Sequence, residues 1–200
     1  KQMIVDGLQK LADEKGGTII MDDNLLEEVV YLVEYPTALC GEFDKEYLQL
    51  PEAAIITPMK DHQRYFPMRD KDGKLMNLFL TVRNGNDYHL ETVQHGNERV
   101  LRARLDDAKF FFEEDKKHKL VDYTEKLKKI VFQDGLGTLF DKAQRLEQIT
   151  VFLNQKLDLG LSDDSLKRAS LLAKADLATQ MVMEFTELQG VMGKEYALID

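Results

Sequence analysis

Asn97 and Arg104 are the polar residues whose position in the sequence most suggests binding chemistry. They lie in a segment, residues 96–112, whose apolar residues recur at helical spacing. Both project near the middle of the apolar stripe, on one line, because seven residues make two helical turns. A buried guanidinium costs several kcal/mol unless it is paired and hydrogen-bonded. We therefore expect a partner for Arg104: a structural network with a neighbouring loop or sheet, or a phosphate- or carboxylate-bearing ligand.

The same helix carries other cations on its polar side. Arg99 and Arg102 fall outside the apolar stripe and are predicted to be exposed, so they suit contact with phosphate better than Arg104 does. The predicted stripe comprises Leu90, Val93, Val100, Leu101, Leu105, Ala108, Phe111 and Phe112.

Two shorter clusters are further candidates. Residues 62–66 place His62, Arg64 and two aromatic residues at a predicted helix-to-strand junction, where binding residues often lie. His62 also fits a purely structural role. Lys174 and Asp176 lie in an otherwise apolar helical stretch, which predicts a buried salt bridge or, alternatively, an interaction site.

The sequence lacks the usual signatures of catalysis. It has no Walker-type glycine loop and no GxGxxG motif, and Gly135-Leu136-Gly137 is too short to hold a phosphate, so we interpret it as a hinge. Cys40 lies in an apolar strand and is predicted to be a core residue. No two of the four histidines have the spacing of metal ligands on one helix. We predict no catalytic residue and no metal site.

Composition is that of an ordinary globular chain, with 44% hydrophobic and 32% charged residues. No apolar run approaches the roughly 20 residues of a membrane span, so no membrane association is expected. The single cysteine indicates a reducing cytoplasm. The net charge of −9 argues against a general nucleic-acid binder. Residues 96–149, however, have a net charge of +1, so a polyanion is expected to meet this central segment.

Periodicity and turn signals predict an α+β fold. The first 85 residues should form helices and about four antiparallel strands, with a hairpin turn at Asp70-Lys71-Asp72-Gly73. A long helix is predicted over residues 90–117, followed by helices at 121–131, 138–157 and 165–185 and no further strand. The break at residues 133–137 predicts a domain boundary, giving an α+β domain at 1–134 and a helical region at 135–200.

Several sequence blocks together resemble the β subunit of the bacterial two-subunit type of glycyl-tRNA synthetase. The likeness runs in order over nearly the whole chain from about Leu25. Its blocks are LVEYP (32–36), Met59 with HQRYF (62–66), GNERVLRARL (96–105), FFEED (111–115), VFQDGLGTL (131–139), KADL (174–177), EF (184–185) and ELQGVMG (187–193).

The resemblance implies an internal piece of a cytoplasmic α2β2 enzyme that joins glycine to tRNA(Gly). In that family the α subunit holds the ATP- and Mg-dependent active site, and β recognises and places the tRNA. This piece would then need no cofactor of its own and would support tRNA binding through His62, Arg64, Asn97, Arg99, Arg102 and Arg104. Its partners would be the α subunit and tRNA(Gly).

The resemblance also implies two domain types. Residues 1–134 would be similar to the B3/B4 module of phenylalanyl-tRNA synthetase, and residues 135–200 to the start of an HD phosphohydrolase domain. The position of the HD dipeptide here is occupied by Lys174-Ala175-Asp176, so metal chemistry would be lost. No editing activity is expected, because no amino acid is smaller than glycine. The alternatives are an HD-type metal-dependent phosphohydrolase and an assembly module that contacts only protein.

Overall fold

The computed structural model describes all residues from 1 to 200 and has the predicted α+β fold. By internal contacts the chain divides into two units, Lys1–Lys109 and Phe110–Asp200. This division falls earlier in the chain than the boundary expected near residue 134. No helix is long and apolar enough to span a bilayer.

The first unit is built on a four-stranded antiparallel sheet in the order β1-β3-β4-β2. Its helices are α1 (Gln2–Glu14), α2 (Asp23–Leu32), α3 (Glu52–Thr57) and the start of α4 (Leu90–Asp115). Its strands are β1 (Thr18–Ile19), β2 (Pro36–Glu42), β3 (Phe66–Arg69) and β4 (Leu75–Asn84). A 3-10 segment at Lys45–Gln49 follows β2, and a π-helical turn at Pro58–His62 extends α3.

The core of this unit lies between α1, α2 and one face of the sheet. Leu8 and Ala12 of α1 and Leu26 of α2 pack against Phe66 and Leu80 of the central strands. The buried residues of α1, Ile4, Leu8 and Ala12, recur four apart, which is the spacing of one helix face.

On β4, Phe79 alternates with Leu80 in sequence, so its side chain leaves the opposite face of the sheet. There it stacks on Tyr65 at 4.5 Å between ring centroids. A Cβ at Gly41 would overlap the Phe79 ring, which explains the glycine in β2. The turn between β3 and β4 forms as predicted: the Asp70 carboxylate accepts hydrogen bonds from the backbone N–H groups of Asp72 and Lys74, both at 2.9 Å.

The second unit is mainly helical and contains α5 (Leu139–Leu157), α6 (Asp163–Leu172), α7 (Gln180–Glu184) and α8 (Val191–Ile199). Thr138 and Asp141 form a capping box at the start of α5. The helix predicted over residues 121–131 is instead a run of 3-10 turns, Leu120–Lys129.

Two predictions for this unit are wrong. A hairpin of β5 (Val131–Gln133) and β6 (Gly137–Thr138) occupies the segment that we interpreted as a hinge without strands. Gly135 and Gly137 adopt left-handed backbone angles there, as a tight turn requires. The helix predicted over residues 165–185 is broken into α6, a 3-10 turn and α7, because Thr179 takes an extended conformation and caps α7.

Candidate nucleic-acid interface

The buried line of α4 differs from the predicted stripe. Its members recur three and four residues apart and are Glu98, Leu101, Leu105, Ala108, Phe112 and Asp115. Val100, placed in the stripe by the sequence, is 42% exposed. The helix is therefore rotated relative to the prediction, so that the apolar residues Leu90, Val93 and Phe111 lie at the edge of the buried face and not at its centre.

This rotation changes the interpretation of Asn97 and Arg104. Both are half-buried at the same edge of the helix, and neither forms a hydrogen bond or an ion pair within the chain. The prediction that a partner in the fold holds them is therefore wrong. A guanidinium at this depth keeps access to water, and the cost of burying it, which motivated the prediction, does not arise.

Glu98 is one of the two charged side chains that α4 buries, the other being Asp115, and it is 8% exposed. Its Oε1 accepts hydrogen bonds from Gln94 Nε2 at 2.8 Å and from the backbone N–H of Glu42 at 3.1 Å. Its Oε2 lies 3.1 Å from His95 Nδ1. Burial raises the pKa of Glu98, but these hydrogen bonds outweigh it, and the net pKa is lowered. Glu98 thus ties α4 to the end of β2.

A cleft of about 730 Å³, which we call the α4 cleft, opens beside Glu98. It is lined by Glu42, Phe43, Asp44, Lys45, Glu46, Tyr47, Asn77, Glu98 and Arg102. Four of its side chains carry carboxylates and two are cations, so its electrostatic character is acidic. An acidic cleft is unsuited to phosphate.

The 3-10 segment Lys45–Gln49 forms one wall of the α4 cleft and is fixed to α4 by two contacts. Tyr47 donates a hydrogen bond from its hydroxyl to Asp106 at 2.5 Å, and Lys109 pairs with Glu46 at 2.6 Å. Burial and the neighbouring Asp106 carboxylate raise the pKa of Tyr47, so it remains a neutral donor. These two contacts therefore hold the 3-10 segment against α4.

Arg99 and Arg102 are exposed on α4, as the sequence predicts, and neither has an ion-pair or hydrogen-bond partner. They differ in surroundings, because Arg102 lines the acidic α4 cleft and Arg99 does not. Nearby carboxylates lower the affinity of a cation for phosphate. Arg99 is therefore the better placed of the two to contact a polyanion.

His62 and Arg64 of the 62–66 cluster are half-buried in the first unit. Arg64 has a left-handed backbone, with φ of 61°, and its side chain pairs with Glu28 at 2.5 Å and with the Asp61 carbonyl. Lys60 pairs with Asp22 at 2.5 Å in the same region. Arg64 is thus committed to local contacts, unlike the arginines of α4.

Lys174 and Asp176 do not form the predicted salt bridge. Asp176 is 1% exposed, and its Oδ2 accepts hydrogen bonds from the backbone N–H groups of Gly190 at 2.5 Å and Gly193 at 3.2 Å. The carboxylate therefore caps the N-terminus of α8, where unpaired amides and the helix dipole favour a negative charge.

Asp115 has the same role at α7 and was missed by the sequence analysis. It is 1% exposed and accepts hydrogen bonds from the backbone N–H groups of Gln180 and Met181, both at 2.9 Å. The hydroxyls of Tyr196, at 2.9 Å, and Tyr123, at 3.2 Å, also donate to it. Its position on the helical line of Leu105, Ala108 and Phe112 was the available signal. In the whole chain, no group of three or more His, Cys, Asp or Glu side chains is arranged to hold a metal ion.

Comparison with known proteins matches this chain, over residues 1–200, to the family described as glycyl-tRNA synthetase beta subunit. The chain belongs to that family. It is 53% identical to the glycine–tRNA ligase beta subunit of Ligilactobacillus salivarius over 193 residues, which is 95% of this chain and 28% of that protein. The corresponding subunit of Clostridioides difficile is 53% identical over 199 residues, and that of Moorella thermoacetica 52% over 201 residues.

Each of the last two alignments covers 100% of this chain and 29% of the relative. The chain therefore spans less than a third of the length of the family members that it matches. The family resemblance inferred from the sequence blocks is confirmed. The relatives are longer proteins, and the surfaces described above lie in the region that aligns with them.

Proposed function

We propose that this chain is a part of a glycine–tRNA ligase β subunit that helps to bind and position tRNA(Gly) and carries no active site of its own. The α subunit, in a cytoplasmic α2β2 enzyme, would perform the ATP-dependent attachment of glycine. The family match over residues 1–200 is the observation that carries the proposal.

The arginines of α4 are the proposed contact residues. Arg99 is exposed and unpaired, and Asn97 and Arg104 keep their hydrogen-bonding groups free at the edge of the same helix. A guanidinium with no partner in the fold can donate to phosphate oxygens at no cost of a broken ion pair. Arg102 contributes less because the carboxylates of the α4 cleft surround it. His62 and Arg64 would support the surface from within the first unit.

We also propose that residues 1–134 form the B3/B4-like part and residues 135–200 the beginning of an HD-like part. Asp176 lies at the position of the HD dipeptide. Its Oδ2 accepts hydrogen bonds from the backbone N–H groups of Gly190 and Gly193 at the start of α8. A carboxylate engaged in this way fits a structural role, so a metal-dependent phosphohydrolase is not favoured.

The experiment measures tRNA(Gly) affinity of the complete α2β2 enzyme carrying Arg99→Ala, Arg102→Ala or, as a control, Lys10→Ala. Lys10 is an exposed cation on α1. Arg99→Ala should weaken binding more than Arg102→Ala and should reduce the salt slope by about 0.7–1, the loss of one phosphate contact. Lys10→Ala should change neither quantity.

Unchanged affinity and salt slope for Arg99→Ala would remove Arg99 from the RNA contact surface. If cross-linking of the whole enzyme to tRNA(Gly) then gave no product within residues 1–200, the chain would be an assembly module that contacts only protein.

A further inference from the structure

Two polar residues in the C-terminal half of α5, Thr150 and Asn154, lie on its inner side. Thr150 forms a hydrogen bond with Ser170 of α6 at 2.9 Å. Asn154 is buried and donates to the Leu161 carbonyl at 2.8 Å and to Asp163 at 3.0 Å. These hydrogen bonds hold α5 to α6 and to the connecting loop. The inner side of this half-helix is thus held by polar contacts.

The outward side of the same half-helix carries a row of apolar side chains, with Lys156 among them, its Nζ 5.8 Å from the centroid of the Phe152 ring. We call this surface the α5 outer face: Ile149, Phe152, Leu153 and Leu157 of the helix, with Leu159 and Leu161 of the following loop. All six are between 43% and 63% exposed. Leu139 and Ala143, in the first half of the same helix, are buried, so the apolar residues change from the inner to the outer side along α5.

The spacing of these residues is that of a helix-packing surface. Ile149, Phe152, Leu153 and Leu157 recur at intervals of three and four, which gives one continuous stripe. A groove of about 360 Å³ runs beside it and is lined mostly by polar residues, its lining being Glu147, Gln148, Val151, Phe152 and Gln155 of α5 and Lys167 of α6. Single exposed apolar residues are ordinary on a protein surface, but a contiguous stripe marks an interaction site.

The length of the relatives indicates what covers this face. More than two thirds of each of the Ligilactobacillus salivarius and Clostridioides difficile subunits lies outside the aligned region, since the alignments cover 28% and 29% of those proteins. A segment of the same polypeptide loses less entropy on binding than a separate partner does, and it acts at high effective concentration. A stripe of leucine, isoleucine and phenylalanine also suits an apolar helix and offers nothing to phosphate.

We propose that the α5 outer face is the docking surface for an apolar helix from the rest of the β-subunit polypeptide. In the full-length subunit α5 is then an interior helix, attached through hydrogen bonds on one side and through apolar packing on the other. This inference rests on family membership and does not depend on the proposed contacts with tRNA.

The test is hydroxyl-radical footprinting of the full-length β subunit, prepared without α, with oxidation measured for Phe152 and Leu157. Each rate is compared with that of the same residue in the urea-unfolded subunit. Labelling a docked side chain requires opening of the contact, so both residues should be oxidised at least about tenfold more slowly in the native subunit.

Three outcomes would overturn the proposal. Rapid oxidation in the native β subunit, whether or not α is present, would show an open face. Protection that appears only when α is added would assign the face to the α subunit, and protection that rises with β concentration would assign it to a second β copy.

A cysteine pair on α5 provides a second measurement in the same full-length subunit. Leu153→Cys places a thiol in the outer face, and Gln144→Cys places one at an exposed polar position of the same helix. Maleimide modification, read by peptide mass spectrometry, should be at least about tenfold slower at position 153 than at position 144. Equal rates would contradict docking even if the footprinting were ambiguous about neighbouring residues.

Discussion

At the residue scale, the buried charged side chains are carboxylates, and each accepts hydrogen bonds from backbone amides. Glu98 receives the N–H of Glu42, Asp115 receives those of Gln180 and Met181, and Asp176 receives those of Gly190 and Gly193. A buried carboxylate is tolerable when several donors replace its lost water. These three acids therefore stabilise the fold, whereas Arg99, Arg102 and Arg104 of α4 have no partner within the chain.

The substitution Asp115→Asn tests the group of hydrogen bonds that Asp115 accepts at the start of α7. The amide keeps the size of the carboxylate, but it loses the negative charge and turns an NH2 group toward donors. We expect the free energy of unfolding of the 200-residue chain to fall by about 2–4 kcal/mol. The free energy of unfolding is measured by urea titration, with circular dichroism as the signal. Asp107→Asn, at an exposed position of α4, should change it by less than about 0.5 kcal/mol.

Tyr196 and Tyr123 make stability sensitive to alkaline pH. Burial, and then the charge of Asp115, raises the pKa of both phenols above the ordinary value of 10.0. A raised pKa in the folded state gives stability that is complete below pH 10.0 and is lost as pH rises above it. The loss is at most about 1.4 kcal/mol per pH unit for each tyrosine.

Urea titrations across the alkaline range check this dependence. Tyr196→Phe should lower the stability near neutral pH and make its decline above pH 10.0 less steep. Tyr196 would not be responsible if the variant declined as steeply as the unsubstituted chain.

At the element scale, α4 shows how a helix can be predicted while its orientation is not. Leu105 is fully buried, and Arg104, its neighbour in sequence, is half-buried and without a partner. The sequence assigned both to one inward stripe. A rotation that places Glu98 inward moves Arg104 to the edge.

A pair of alanine variants measures this orientation. Leu105→Ala should reduce the free energy of unfolding by about 2–5 kcal/mol, because it leaves a cavity in the core. Arg104→Ala should reduce it by less than about 0.5 kcal/mol, because no hydrogen bond is lost. A comparable loss for Arg104→Ala would mean that the guanidinium has a partner in the folded chain after all.

At the scale of the whole molecule, charge limits how the chain meets RNA. The net charge of −9 and the acidic α4 cleft oppose a polyanion, so binding must depend on a few local cations such as Arg99. We expect the 200-residue chain alone to pass through a heparin column at about 0.15 M salt, where surface charges act over about 8 Å. Retention at this salt would show that the α4 cations override the acidic remainder.

Local sequence signals determined much of this protein. The caps Asp22 and Asp44 and the turn at Asp70 and Gly73 act within a few residues, so the α+β class and most element positions could be predicted. The sequence blocks were specific enough to indicate the family, and exposed Arg99 and Arg102 followed from helical spacing alone.

Tertiary structure decided which face of a helix lies inward and what satisfies each buried polar group. Periodicity gives the period of α4 and α5, but their rotation depends on the partners that other segments bring. Glu42 brings an amide to Glu98, residues 180 and 181 bring amides to Asp115, and Ser170 brings a hydroxyl to Thr150. These donors are distant in sequence, and only the folded chain places them within hydrogen-bonding distance.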